Sequence, residues 1–211
     1  LNLFDVDYAL YNSSLCLSLV NQKSKKLTML KKLVKDFSNS PYYDNALFDL
    51  ANHFKNNNDF QLAISYYDSV LKNSSDLSLR AESYLGRGII NFNNNKTDKA
   101  IDDYTFVIEN FSKTKYFKQA LLGIQSIYVA NAQVDKYVDL INSLPNLNVK
   151  KSEIDSLSYN AAFIKFSEGK YTYSRDNFIK YLNDFSKIHN STVENDGVFV
   201  NQANYFLAES Y

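Results

Sequence analysis

One cysteine and two histidines are the side chains best suited to chemistry, and they lie far apart: Cys16, His53 and His189. A lone thiol excludes an internal disulfide and any zinc site built on cysteine pairs. Cys16 sits in YNSSLCLSLV between Leu15 and Leu17, where a thiol is expected to pack as a small hydrophobe. His53 precedes Phe54, and His189 lies in a polar stretch whose nearest acids are Asp184 and Glu194. Neither histidine has a second one at ligand spacing. Asp102 and Asp103 are paired acids, but consecutive helical residues point ~100° apart. They therefore do not converge on one substrate and are expected on a solvated face. The five glycines never form a phosphate-cradling loop, and GRGI (86–89) reads as a close-packing site within a helix. No catalytic residue, cofactor or metal is expected from this set.

The elements that carry these residues follow from composition and pattern. The 211 residues are 45% hydrophobic and 22% charged, an ordinary globular balance that excludes a disordered chain. Lysine and arginine total 23 and aspartate and glutamate total 23, and no basic excess or stripe stands out. A nucleic-acid partner is accordingly not expected. No apolar run approaches the ~18 residues of a membrane span, so direct membrane insertion is not expected. Glycine (5) and proline (2) are scarce, which favours long helices over a many-turned β fold. Asparagine is abundant, with 26 copies, beside 17 tyrosines and 15 phenylalanines, a bias consistent with AT-rich coding. The sequence starts at Leu1 and stops inside a helical pattern, which reads as a piece of a longer chain.

The chain repeats with a period of 37 residues. NNNDFQLAISYYDSVL (56–71) aligns with NNNKTDKAIDDYTFVI (93–108), matching Ala63 to Ala100, Ile64 to Ile101, Tyr67 to Tyr104 and Val70 to Val107. Extending the offset gives a column of Leu33, Val70, Val107, Leu144 and Tyr181, and another of Leu30, Tyr67, Tyr104, Ile141 and Phe178. A third reads Leu27, Ile64, Ile101, Val138 and Arg175. These columns are three residues apart and form one face of a helix. A fourth column, Asn21, Asn58, Asn95, Ala132 and Gly169, supplies residue types that tolerate left-handed backbone at a helix end. Each unit thus reads as helix A, a tight turn, helix B and a connector. The expected helices are 3–20 and 23–37, 42–56 and 59–72, 76–94 and 96–110, 114–131 and 133–144, and 152–168 and 170–184. Pro41 and Pro145 fall near connectors, 185–197 reads as a polar loop, and 198–211 reads as a sixth A helix without its B partner.

These columns resemble the tetratricopeptide repeat. The second unit carries the pattern best, with Leu47, Ala51, Phe54, Asn58, Phe60, Ala63, Tyr67 and Val70. The third has Tyr84, Gly88, Asn95, Ala100, Tyr104 and Val107, and the fifth Ala162, Gly169, Tyr171, Ser174 and Phe178. The first and fourth depart from it, with Ser14 and Lys26, and Gln125 and Tyr137, at positions where the family favours small residues. FSNSPYYDNALFDLANHF (37–54), LLGIQSIYVANAQVDKYVDLINSLPN (121–146) and the closing ANYFLAESY look like tetratricopeptide proteins of bacterial, Bacteroidetes-type cell envelopes. The resemblance implies an all-α fold, a right-handed α-solenoid over 1–211, with repeats at about 3–38, 41–75, 76–112, 113–149 and 150–186. It further implies a non-catalytic scaffold for a protein or peptide partner in the periplasm or cell envelope, with the cytoplasm as the alternative. A structural spacer within a large envelope protein is the alternative function. Self-association through 198–211 is a further expectation.

In that family, ligands lie against the A helices. The corresponding positions are Tyr8 and Tyr11, then Phe48, Asn52 and Lys55, then Leu85, Ile89 and Phe92, then Leu122 and Val129, and finally Tyr159, Phe163 and Phe166. This wall is apolar and aromatic, which suits capture of a peptide or helix. The alternative is that the longer period turns these residues into contacts between helices. A carboxylate clamp of the chaperone-binding kind is not expected, because Phe48 stands where a lysine would be needed.

Overall fold

The structure is a computed structural model and describes residues 3–144, 147, 150–188 and 197–211. Eleven helices occur among the described residues, which hold no strand. They are α1 (Leu3–Leu19), α2 (Lys23–Asp36), α3 (Tyr43–Asn56), α4 (Phe60–Asn73), α5 (Leu77–Asn93), α6 (Thr97–Asn110), α7 (Lys115–Ala130), α8 (Val134–Ser143), α9 (Lys151–Ser167), α10 (Tyr171–Ile188) and α11 (Gly197–Glu209). The largest departure from the sequence expectation is α10, which continues to Ile188 instead of ending at 184. Pro145, His189 and most of the expected loop (189–196) lie outside the described residues.

The turn column is the feature that organises the chain. Asn21, Asn58, Asn95, Ala132 and Gly169 have φ of 57°, 61°, 58°, 55° and 70°. In every case the amide of the next residue donates to the carbonyl five residues back. The bonds are Gln22 to Leu17 (2.8 Å), Asp59 to Phe54 (2.9 Å), Lys96 to Asn91 (2.8 Å), Gln133 to Tyr128 (2.8 Å) and Lys170 to Lys165 (2.9 Å). This six-to-one bond closes a helix end in the Schellman manner and frees the chain to reverse. Four of the five positions are asparagine or alanine, so only Gly169 adopts left-handed backbone without a Cβ cost. Helix starts are less uniformly capped, and Asp76 is the clearest, accepting from the amides of Ser78 (2.7 Å) and Leu79 (3.1 Å).

The chain forms two compact units, Leu1–Leu121 and Leu122–Tyr211. In the first unit the hairpins α1–α2, α3–α4 and α5–α6 each pack internally, and α2 on α3 and α4 on α5 join successive hairpins. Leu30, Leu33, Leu50, Ala51, Ala63, Tyr67 and Ile90 are buried together. Each large apolar side chain fully withdrawn from water contributes about 1.5–3 kcal/mol. Ala51 and Ala63 are fully buried, as small residues must be where helices A and B come closest. Tyr67 and Tyr104 lie against glycines: a Cβ on Gly86 would stand 2.5 Å from Tyr67 Cζ, and one on Gly88 would stand 2.8 Å from Tyr104 Cε1. GRGI is thus a seat for two tyrosine rings. Tyr67 Oη also donates to Asn52 Oδ1 at 2.7 Å, and burial pushes its pKa well above that of a free phenol.

The second unit holds α8, the α9–α10 hairpin and α11, which packs on both α9 and α10. Its core gathers Tyr159, Ala162, Phe178, Tyr181 and Ala203, while Val129, Val134 and Ala161 form a smaller cluster. Ser174 takes the small-residue position of helix B and donates to the buried carbonyl of Ala162 at 3.1 Å.

Candidate partner-binding surface

The A helices place the expected groove residues in three environments. Tyr8, Ile89, Leu122 and Phe163 are exposed, by 55%, 44%, 59% and 38%. Tyr11, Phe48, Asn52, Lys55, Phe92 and Phe166 are half-buried. Leu85, Val129 and Tyr159 are buried, so these three serve packing between helices and do not line an open groove. One A-helix face meets both the neighbouring helices and the groove. Which role a residue takes depends on a rotation of a fraction of a turn.

Within the first unit, Tyr8 and Tyr11 meet over Tyr42, which sequence reasoning did not single out. The Tyr11 and Tyr42 rings stack at 5.2 Å and 17°, and Tyr8 approaches Tyr42 at 5.9 Å. Phe48 and Asn52 meet at Tyr67, Phe48 by ring contact at 6.1 Å and Asn52 by its hydrogen bond. The bond uses the Asn52 carbonyl oxygen, which leaves its amide hydrogens to donate elsewhere. Burial lowers the Lys55 pKa from its ordinary value, consistent with a stem lying along apolar surface.

In the second unit, Phe163 and Phe166 meet over Phe206 of α11, at 5.0 Å and 4.9 Å between centroids. Tyr159 contacts Phe199 of α11 at 4.9 Å, and its hydroxyl lies 3.1 Å from Gln202 Oε1. Phe199 (39% exposed) and Tyr205 (60% exposed) extend this aromatic surface along α11. Phe199 and Phe206 lie seven residues apart on the closing helix, and that spacing was the signal available in the sequence.

The residues first considered for chemistry fall apart in space or are already engaged. Cys16 is exposed, contrary to the expectation of a packed thiol, because α1 is apolar on more than one side. His53 bonds Asn57 Nδ2 at 2.9 Å and meets the Phe54 ring edge-on. Its pKa is lowered by burial and by nearby Lys26, Lys23 and Lys31. Asp102 is exposed as expected, but Asp103 is not solvated: it is 3% exposed and holds Arg87 of α5. Arg87 Nε donates to both Asp103 oxygens at 3.1 Å, Nη2 donates to Oδ1 at 2.5 Å, and Nη1 pairs with Asp68 of α4. Asn91 Nδ2 adds a bond to Asp103 at 3.1 Å. Burial disfavours the guanidinium charge, but Asp103 and Asp68 outweigh it and hold the Arg87 pKa above its ordinary value. This network floors a polar recess of about 770 Å³ edged by Asn58, Lys96 and Lys99. The second unit has a cavity of about 290 Å³ walled by Val134, Val138 and Ile154, where Lys180 pairs with Asp135. Among the described residues, no group of three or more histidine, cysteine, aspartate or glutamate side chains converges on a metal position. No helix there is long and apolar enough to cross a membrane.

Solved structures share this arrangement. A tetratricopeptide repeat protein from Parabacteroides merdae superimposes with a TM-score of 0.61 over 97% of this chain and 75% of its own, at 16% identity. The fold is the tetratricopeptide repeat. The MamA RS-1 ArsTM double mutant is similar over 89% of this chain and 98% of its own (TM-score 0.55, 16% identity). Pseudomonas aeruginosa PilF is similar over 98% and 89% (TM-score 0.54, 13% identity). No protein-family model and no curated protein sequence matches the chain. Identities this low establish the repeat architecture alone, so function rests on the surfaces of this chain.

Proposed function

We propose that the chain is a non-catalytic interaction scaffold that holds an apolar segment of a partner protein against its A helices. The observation that carries this reading is the exposure of large apolar side chains on A helices, Tyr8 and Ile89 in the first unit and Leu122 and Phe163 in the second. Exposed apolar anchors beside a rigid aromatic floor suit helix or peptide capture, because the anchors are already held in place before the partner arrives. Tyr42, Tyr67 and Phe206 supply that floor beneath Tyr11, Phe48 and Phe163.

The test is affinity capture from envelope and cytosolic extracts of the source organism, with Ile89→Glu/Phe163→Glu alongside. A protein partner retained by the native chain and lost by the variant supports the scaffold; equal retention by both overturns the groove assignment. The fraction that yields the partner also tests the proposed cell-envelope location. The second reading is a spacer within a larger envelope protein. It draws on α11, where Tyr205 and Ala208 lie exposed on the helix that opens a sixth repeat pattern. Capture of no partner from either extract favours it.

A further inference from the structure

The chain has no net charge, yet its cations are unevenly placed. Helix α2 carries six of the 23 lysines and arginines, Lys23, Lys25, Lys26, Lys31, Lys32 and Lys35, against a single acid, Asp36. No sibling B helix resembles it: α4 has one lysine and one aspartate, and α6 has one lysine against four acids. Whole-chain arithmetic averaged this stripe away, which is why the sequence reading found none. The apolar positions Leu30 and Leu33 turn inward, leaving Lys25, Thr28, Lys32 and Lys35 on the outward face at i, i+3, i+7 and i+10. At 1.5 Å per residue the stripe runs about 15 Å. Lys26 pairs with Asp49 at 3.6 Å and Lys31 lies over the Phe54 ring at 5.5 Å, but Lys25, Lys32 and Lys35 have no acidic partner among the described residues.

The turn that leads into α2 is also unlike its siblings. Leu19 is 87% exposed and Val20 is 62% exposed. The same two repeat positions hold Asn56 and Asn57, Asn93 and Asn94, Ala130 and Asn131, and Ser167 and Glu168. Every other turn is polar or small where this one is apolar and branched. Nothing in the turn geometry demands the change, because Asn21 closes this helix as Asn58 and Asn95 close theirs. Two exposed apolar side chains at the tip of a hairpin, followed by an unpaired lysine stripe, match the two requirements of an anionic bilayer surface: apolar groups that enter the interface and cations that meet the headgroups.

We propose that the α1–α2 hairpin is a peripheral membrane-contact site, in which Leu19 and Val20 dip into the interface of an anionic bilayer while Lys25, Lys32 and Lys35 engage lipid phosphates. The site is separate from the A-helix surface of the scaffold reading and stands whether or not that reading holds. An acidic protein surface would satisfy the lysines equally, but gives no reason for the apolar tip.

The experiment is flotation of the whole chain with vesicles of equimolar phosphatidylcholine and phosphatidylglycerol, and with phosphatidylcholine alone. The native chain is expected to float with the anionic vesicles only, and less so as salt rises. Each lysine near an anionic surface strengthens binding about fivefold, so Lys25→Gln/Lys32→Gln/Lys35→Gln should weaken it by about a hundredfold. Leu19→Ser/Val20→Ser should remove the binding that persists at high salt, and Lys99→Gln/Lys136→Gln should change little. Circular dichroism verifies that each variant is folded, as expected for exposed positions. Equal binding to both vesicle types overturns the proposal, as does no binding to either. Capture by polyglutamate at the same strength, with vesicle binding indifferent to the Leu19 and Val20 changes, also overturns it and assigns the stripe to an acidic protein.

Discussion

Replacing Gly86 by alanine sets two effects of known sign against each other. In an open helix interior the change stabilises by about 1 kcal/mol, since glycine loses more backbone freedom on folding. Here the new Cβ would stand 2.5 Å from both Cζ and Oη of Tyr67. That ring cannot swing away: it is completely buried and its hydroxyl is held by Asn52 at 2.7 Å. Overpacking of this kind costs about 1–3 kcal/mol. Pushing the hydroxyl off Asn52 forfeits about 1 kcal/mol more. The net expectation is destabilisation by about 2 kcal/mol, read as a lower urea midpoint at unchanged slope. For a chain of this size that corresponds to a fall of roughly 4–8 °C in Tm. Tyr67→Leu removes the obstructing ring, so adding Gly86→Ala to that variant should stabilise it by up to about 1 kcal/mol, a coupling of about 2–3 kcal/mol across the cycle. Stabilisation of the native chain by Gly86→Ala, or additivity with Tyr67→Leu, would refute the claim that the glycine exists to seat the ring.

Three further outcomes follow from the geometry. Arg87→Ala leaves Asp103 buried without its counter-ion and should cost about 3 kcal/mol in urea denaturation, whereas Asp68→Asn, at a more exposed carboxylate, should cost under about 1 kcal/mol. Ala132 alone among the turn residues combines a Cβ with no polar side chain at positive φ, so Ala132→Gly should raise stability by about 0.5–1 kcal/mol in the same assay. Burial, and secondarily Asp103, pushes the Tyr104 pKa up to about 12, and Tyr67 is raised as well. Both phenols hold their protons in the fold at a pH where the unfolded chain releases them, so stability is unaffected below pH ~10 and falls as pH rises above it. Tyr104→Phe should flatten that alkaline decline, measured by urea midpoints across the range.

The repeat was legible because three of its determinants are local. The stop column at Asn21, Asn58, Asn95, Ala132 and Gly169 names residue types that backbone sterics select, and all five have positive φ. The columns through Tyr67 and Val70 are apolar because a helix pair buries one face, and Leu33, Val70, Val107 and Phe178 are fully buried. What escaped the sequence depends on neighbours distant along the chain. Asp103 is buried because Arg87 and Asn91, on another helix, are there to receive it. Leu85 and Tyr159 share a helical face with Ile89 and Phe163, yet neighbouring helices cover the first pair and leave the second open. Cys16 stays exposed because α1 is apolar around much of its circumference, so periodicity cannot say which side packs. Phe206 entered the aromatic surface only when α11 folded onto α9.

The central claim is that a partner protein lies against exposed apolar side chains of the A helices. The most direct test is photo-crosslinking in the source organism, with a reactive side chain placed at position 89 or 163, and at Asp139 of α8 as the control. The account predicts one protein partner crosslinked from 89 or 163 and absent from 139. Crosslinks from 139 alone, or the same adducts from all three positions, would contradict it.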